Sequence, residues 1–327
     1  MRTFTIDKKN AGKRLDRWLC ATLPALSMGM IQKYIRLKRI KLNGKGAQRD
    51  TRLNEGDVLN LYINDACFES PRLVDPFLSK IHPRLDILYE DENLLLADKR
   101  PGLMAHPDAH EKVNTLITHA QAYLYQKGAW DSMAQDSFSP ALCNRIDRFT
   151  GGIVIIAKTE TAMRIINQKI RDREIEKRYL CIIHGRIKPA QGILEGYISK
   201  AESKHRVTVH AAPASGGQHA LTRYQTLSFR DGLSLMECEL ITGRTHQIRA
   251  QFAAAGHPLL GDNQYGNARL NQKYHRDYQA LYAYRLTFRF KGGAGFLNPL
   301  DGKSWQVPRI NFLSEYFPDF NLDTLRQ

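Results

Sequence analysis

The sequence predicts an α+β protein in two parts, and three observations predict it. The length, 327 residues, exceeds one small module and suits a large domain with a smaller companion. The charge is lopsided: 48 Lys and Arg stand against 33 Asp and Glu, a net +15, and residues 1–63 carry +9 of it. From about residue 85, short apolar runs of strand length are interleaved with helical spacing. Hydrophobic residues at 43% and charged residues at 25% exclude global disorder. No apolar run approaches the roughly 18 residues that a membrane span needs. Met1 to Asp7 has no signal-peptide core, so export is not expected.

The front part reads element by element. Gly12-Lys13-Arg14-Leu15-Asp16-Arg17-Trp18-Leu19 opens a short helix with Leu15, Trp18 and Leu19 on one face, and Leu23-Pro24 ends it. Ser27 is placed to cap a second helix from Met28 to about Arg39, with Ile31, Tyr34, Ile35 and Lys38 at helical spacing. Lys33, Arg36, Lys38 and Arg39 make it densely positive. Ile40 to Lys45 alternates like a strand and turns at Asn43-Gly44. A turn at Glu55-Gly56-Asp57 then leads into a strand, Val58 to Ile63.

The stretches RLDRWL, SMGMIQKYIRLKRIKLNGK and TRLNEGDVLNLYI, in that order, resemble the αL-type RNA-binding domain first described in a small-subunit ribosomal protein. The resemblance covers about residues 12–63 and implies that two basic helices grip RNA phosphates. Lys33, Arg36, Lys38 and Arg39 are the expected phosphate contacts, giving affinity with little sequence selection. The bland alternative is a solvated basic helix.

The expected division is a small basic domain over 1–65, a linker over 66–84 and a large domain over 85–327. The linker holds Pro71, Pro76 and Pro83; Ser70-Pro71-Arg72 and Asp75-Pro76-Phe77 read as extended chain. Beyond it, Ile87-Leu88-Tyr89 and Asn93 to Lys99 read as paired strands, Arg100-Pro101-Gly102 as a turn, Thr115 to Tyr125 as a helix, and 126–140 as a polar loop.

The most informative segment follows. An apolar strand, Ile153 to Ala157, is preceded by Asn144-Arg145-Ile146-Asp147-Arg148-Phe149-Thr150-Gly151-Gly152. An acid between two arginines is commonly a surface ion pair, and the segment alone does not decide otherwise. Its companions do. The segment resembles the HRLDxxTSG signature of the RluA-type pseudouridine synthases. Upstream, Leu96 to Leu103 with His106-Pro107 resembles that family's first block. Lys177-Arg178-Tyr179-Leu180-Cys181 with Gly185 resembles the second, and Glu239 to Arg249 the third. Gly256-His257-Pro258-Leu259-Leu260-Gly261-Asp262 follows, with Tyr265-Gly266. Asn144 replaces the usual His, Gly151 the usual Ser, and Tyr282 stands where many members have His.

The resemblance implies a mixed, largely antiparallel sheet with peripheral helices and a central cleft. It implies isomerisation of uridine to pseudouridine in structured RNA, most plainly large-subunit (23S) ribosomal RNA. By resemblance, Asp147 acts at the sugar, Arg249 is its ion-pair partner, Tyr179 lies against the uracil ring, and Arg145 helps fill the vacated space or hold the displaced nucleotide. Asp147 could attack C1′ or remove a sugar proton to give a glycal. The reaction is redox-neutral and needs no cofactor or metal, and the sequence has no P-loop, dinucleotide fingerprint or metal-spaced His/Cys cluster. Cys20, Cys67, Cys143, Cys181 and Cys238 are scattered and form no CxxC pair, which fits a reducing cytoplasm. A monomer that needs no protein partner and no membrane is expected. Two other functions compete: a non-catalytic RNA-binding or ribosome-assembly factor on the same scaffold, and a synthase for transfer RNA. A membrane-surface protein is disfavoured, because no amphipathic apolar face or lipidation motif accompanies the basic front.

Overall fold

The computed structural model describes residues 1–23, 26, 28–64, 68, 75–132, 138–200, 206–213 and 216–325, with the side chains of 28–30 left out. Ser27 of the expected helix cap and Ser70-Pro71-Arg72 of the expected linker lie outside them. The chain groups into two units, Met1–Ile81 with Ala122–Ser137 and His82–Gln121 with Phe138–Gln327.

The first unit sets helices α1 (Leu15–Thr22) and α2 (Met28–Arg36) on a small sheet. The sheet is made of β1 (Arg2–Thr5), β2 (Ile40–Leu42), β3 (Lys45–Gly46) and β4 (Val58–Leu61), in the order β1-β4-β2-β3. Leu15, Leu19, Ile31, Ile40, Leu59 and Leu61 form its dry centre. The hairpin turns where Asn43 and Gly44 take φ of 50° and 77°, the paired positive values of a tight hairpin turn. Two expectations are corrected. The second helix stops at Arg36 rather than near Arg39, because Lys38 turns left-handed (φ 56°) and the Arg39 N–H closes the helix end on the Tyr34 carbonyl at 2.9 Å. Lys38 and Arg39 therefore sit in a turn. Asp75-Pro76-Phe77 is not extended but enters a 3-10 helix, Leu78–Lys80. Asp75 Oδ1 caps it by accepting from the Phe77 and Leu78 N–H groups at 2.9 and 3.0 Å. Leu78 and Ile81 bury against Ala122, Tyr125 and Trp130, within the same unit.

The second unit is built on one large sheet. Its strands are β5 (Asp86–Glu90), β6 (Leu94–Lys99), β7 (Ala141–Leu142), β8 (Gly151–Ala157), β9 (Ile175–His184) and β10 (Gln191–Lys200). They continue with β11 (Val207–His210), β12 (Gln218–Arg230), β13 (Leu233–Leu240), β14 (Leu281–Phe288) and β15 (Ser304–Gln306). The order is β11-β10-β12-β13-β9-β14-β8-β6-β5, with β15 on β14 and β7 on β8. Among these pairs only β14 with β8 is parallel, so the sheet is mixed and largely antiparallel. β8 reads GGIVIIA and is buried along its whole length, as a central strand covered on both faces must be. The helices that matter here are α3 (Leu116–Gln126), α4 (Glu160–Arg171) and α5 (Gln247–Ala254). α4 starts at Thr159, whose hydroxyl accepts from the Ala162 N–H, and buries Ala162 and Ile166 against the sheet core. Among the described residues no helix is long and apolar enough to cross a membrane.

Candidate active site

The loop before β8 is held from several sides. Cys143 N–H donates to the Ile155 carbonyl at 2.8 Å, and the Asn144 side-chain oxygen accepts from the Ile155 N–H at 2.7 Å. Asn144 thus serves as a false strand partner for β8. The buried Lys99 reaches the loop from the end of β6, donating to the carbonyls of Arg148 and Leu103 at 2.8 Å and Arg100 at 3.2 Å. Burial pushes its ammonium down to about 7, against the pull of Asp147 and Asp98. At the far end of the loop, Gly152 (φ 118°) leaves no room for a side chain, since a Cβ there would stand 2.2 Å from the Ala283 carbonyl oxygen. A Cβ on Gly151 would meet the Tyr282 ring at 2.2 Å. The departures at 151 and 282 are therefore one complementary pair: the ring fills the space the glycine leaves. The Tyr282 hydroxyl donates to Asp98 at 2.8 Å.

These constraints present Asp147 to Arg249, which comes from 102 residues along the chain and donates from Nη1 to Asp147 Oδ2 at 2.9 Å. Arg249 stands on the first turns of α5, whose entry is tied by Gln247. Gln247 accepts from the Thr242 hydroxyl and the Arg244 N–H and donates to the Leu221 carbonyl. The paired donors of Arg249 do not face Asp147. They grip Asp262 at 2.7 and 3.0 Å, and Nη2 also donates to Gln264 at 3.0 Å. Burial alone would raise Asp262, but the Arg249 fork and the N–H groups of Gln264 and Tyr265 outweigh it and hold the carboxyl below its ordinary range. Side-chain exposure is 0% for Asp262, 7% for Arg249 and 27% for Asp147, so only the last offers a carboxylate to a ligand. His246, in a left-handed conformation before α5, flanks it with Nε2 at 3.8 Å from Asp147, while its Nδ1 meets the Tyr265 hydroxyl at 2.9 Å.

Asp147, Arg249, Tyr179 and Arg145 line one cavity of about 250 Å³, with Ile170, Leu240 and Leu281 among its apolar walls. Tyr179 enters from β9, and burial first, then the nearby Asp147, raises its phenol, so it stays protonated. Its hydroxyl has no hydrogen-bond partner among the described residues. Arg145 is exposed and also lines an adjoining cavity of about 500 Å³ with His106, Arg148 and Arg244. Lys33, Arg36, Lys38 and Arg39 are all exposed and belong to the first unit, whereas the cavity residues belong to the second. Asp262, Lys99 and His246 were not singled out by sequence reasoning. The one signal for Asp262 was its place in the block after Arg249, because an acid there shows no partner until the chain is folded.

The chain thus joins a small basic unit to a sheet unit whose cavity presents the Asp147 carboxylate paired with the Arg249 guanidinium. Residues 93–254 match the model of the RNA pseudouridylate synthase family and residues 13–59 that of the S4 domain. An RNA pseudouridine synthase of Chlorobaculum parvum is 31% identical over 269 residues, 81% of this chain and 79% of that one. The ribosomal large subunit pseudouridine synthase D of Zymomonas mobilis is 30% identical over 318 residues, 97% and 95% of the two chains. The human RNA pseudouridylate synthase domain containing 4 shares the fold, with a TM-score of 0.55 at 21% identity over 70% of this chain and 90% of that one. The chain belongs to the RNA pseudouridine synthase family, RluA-type, and carries an N-terminal S4 domain.

Proposed function

We propose that this enzyme isomerises uridines of large-subunit ribosomal RNA, with Asp147 as the reacting carboxylate. The observation that carries this reading is the chain Asp262–Arg249–Asp147, which ends in a small cavity beside Tyr179. Arg249 pairs its guanidinium with the Asp147 carboxylate, and its own geometry is set by the fork on Asp262. Two routes start from the ionised acid, attack on C1′ or removal of a ribose proton to leave a glycal. Both break the C1′–N1 bond and place negative charge on the uracil. Tyr179 supplies a flat wall for the ring, worth ~1–3 kcal/mol for a stacked base. Its protonated hydroxyl can pass on a proton as C5 loses its own. Arg145, which lines both cavities, holds the nucleotide flipped out of the RNA stack, a step costing a few kcal/mol.

The S4 residues Lys33, Arg36, Lys38 and Arg39 supply salt-dependent affinity. The ribosomal target is supported by the name of the Zymomonas mobilis relative. Mapping pseudouridines in ribosomal and transfer RNA of a deletion strain tests it. Loss of a 23S site, restored by the wild-type gene and not by Asp147→Asn, is expected. Loss confined to transfer RNA would reassign the substrate, and a strain with no lost pseudouridine would leave only a binding role.

A further inference from the structure

Lys177 lines the same cavity as Asp147 and Tyr179. It precedes Tyr179 by two residues on β9, so both side chains leave the same face of the strand. Arg178, between them, points the other way and pairs with Glu176 and Glu237. A side-chain carbon at Gly243, also a cavity residue, would stand 4.0 Å from the Lys177 ammonium.

Its lack of a partner sets it apart. Lys169 pairs with Glu174 at 2.7 Å, Lys158 with Glu90 at 2.9 Å, and Lys99 donates to three carbonyls. Among the described residues the Lys177 ammonium has neither an ion pair nor a hydrogen bond. Burial pushes its ammonium below the usual lysine range, and no neighbouring carboxylate offsets that. Lys177 is half-buried, and a charge partly drawn out of water without a partner weakens the folded state. An occupant that develops negative charge would remove the cost, and the reaction makes one.

We propose that the Lys177 ammonium donates a hydrogen bond to a carbonyl oxygen of the target uracil and stabilises the anionic base between cleavage and reattachment. The inference rests on the uridine-isomerisation reading. When C1′–N1 breaks, its electron pair stays with the base and spreads over N1 and the two carbonyl oxygens. After rotation, C5 bonds to C1′, the C5 proton leaves, and N1 takes up a proton. Lys177 keeps its own proton throughout. A donor held at developing charge is the kind of group whose removal costs about 10²–10³-fold in turnover.

The test is Lys177→Met, close in shape and uncharged, on a short RNA carrying the mapped uridine. Single-turnover isomerisation should fall on the order of 10²-fold while the RNA dissociation constant stays put. The melting temperature should hold or rise, since a partnerless charge has been removed. A merely structural lysine would show the reverse, a lower melting temperature with its rate defect. The same pair of enzymes is then compared on RNA with 5-fluorouridine at the target, following loss of the starting nucleoside. Fluorine makes the departing base a better anion, so the Lys177→Met penalty should shrink several-fold. An undiminished rate in Lys177→Met, or equal penalties on both substrates, overturns the proposal while leaving the enzyme's reaction intact. Failure of the wild type itself to isomerise the RNA would instead overturn the underlying reading.

Discussion

The two units handle charge in opposite ways. In the first, Lys33, Arg36, Lys38 and Arg39 face water, and among the described residues none is in an ion pair. In the second, the charges around the cavity are interlocked: Asp262 holds Arg249, Arg249 holds Asp147, and Lys99 pins the loop that carries Asp147. Attraction to a polyanion acts over roughly a Debye length, ~8–10 Å, and tolerates loose placement. Chemistry at one bond does not, because a misplaced or protonated carboxylate is useless. Affinity can therefore be laid on a surface residue by residue, whereas reactivity requires a matched set.

That contrast is tested most severely by Asp147→Asn. Isomerisation should drop to background while RNA binding survives, read by tritium release from RNA with 5-tritiated uridine beside a binding titration. Near-wild-type release would remove Asp147 from the chemistry. Arg249→Met should come next, with a double effect. It takes the guanidinium from Asp147 and strands Asp262 as an unpaired buried acid, a loss of about 3–5 kcal/mol in unfolding free energy. Turnover and chemical denaturation should fall together. Arg249→Lys should be intermediate, since one ammonium cannot reproduce the fork on Asp262. A variant with a normal denaturation midpoint would contradict the interlocked network.

Gly151→Ser probes the loop from its other end. Overpacking against the Tyr282 ring should cost about 1–3 kcal/mol and slow turnover. Adding Tyr282→Ala should relieve part of that cost, and strictly additive denaturation midpoints would show that the two residues do not meet. The first unit should respond more gently. Changing Lys33, Arg36, Lys38 and Arg39 to Gln should flatten the dependence of RNA affinity on salt, by up to about 3 in log–log slope for single-stranded contacts. The rate at saturating RNA should be unchanged, and a collapse in that rate would mean that these residues help build the site. Neutralisation is cleaner than truncation near residue 70, because Leu78 and Ile81 belong to the packing of the same unit.

The smallest effect concerns pH. Burial lifts Asp98 to about 6, against the Tyr282 hydrogen bond, which favours the carboxylate. The unfolded value is about 3.9. Between those values the folded state holds the extra proton, so the Asp98 contribution to stability declines as pH rises from about 4 to about 6. Asp98→Asn should flatten that part of the melting-temperature profile. An unchanged slope would show that Asp98 does not titrate there.

How much of this was legible beforehand differs by unit. In the first, periodicity located both helices and the hairpin, because Leu15, Leu19, Ile31 and Ile35 repeat at helical spacing and Asn43-Gly44 is a turn signal. The strand Arg2–Thr5 escaped, since four residues that pair with Val58–Leu61 carry too short a pattern. In the second unit the ordered motifs drew attention to Asp147, Tyr179 and Arg249. They did not show that Arg249 turns its fork to Asp262, or that Gly151 and Tyr282 are complementary in shape.

By itself the sequence determined the α+β class, the S4-like charge excess at the front, and the ordered motifs that the family shares. Those are short-range properties: a helical or strand repeat, a turn dipeptide and a local charge balance are written within a few consecutive residues. Only the tertiary structure decided which acid faces the cavity, which is sealed beneath it, and which lysine is left without a partner. Burial and pairing depend on groups brought together from distant points, such as Asp147 and Arg249, 102 residues apart. The energy of a charge is set by that assembled surrounding and not by its neighbours in the chain.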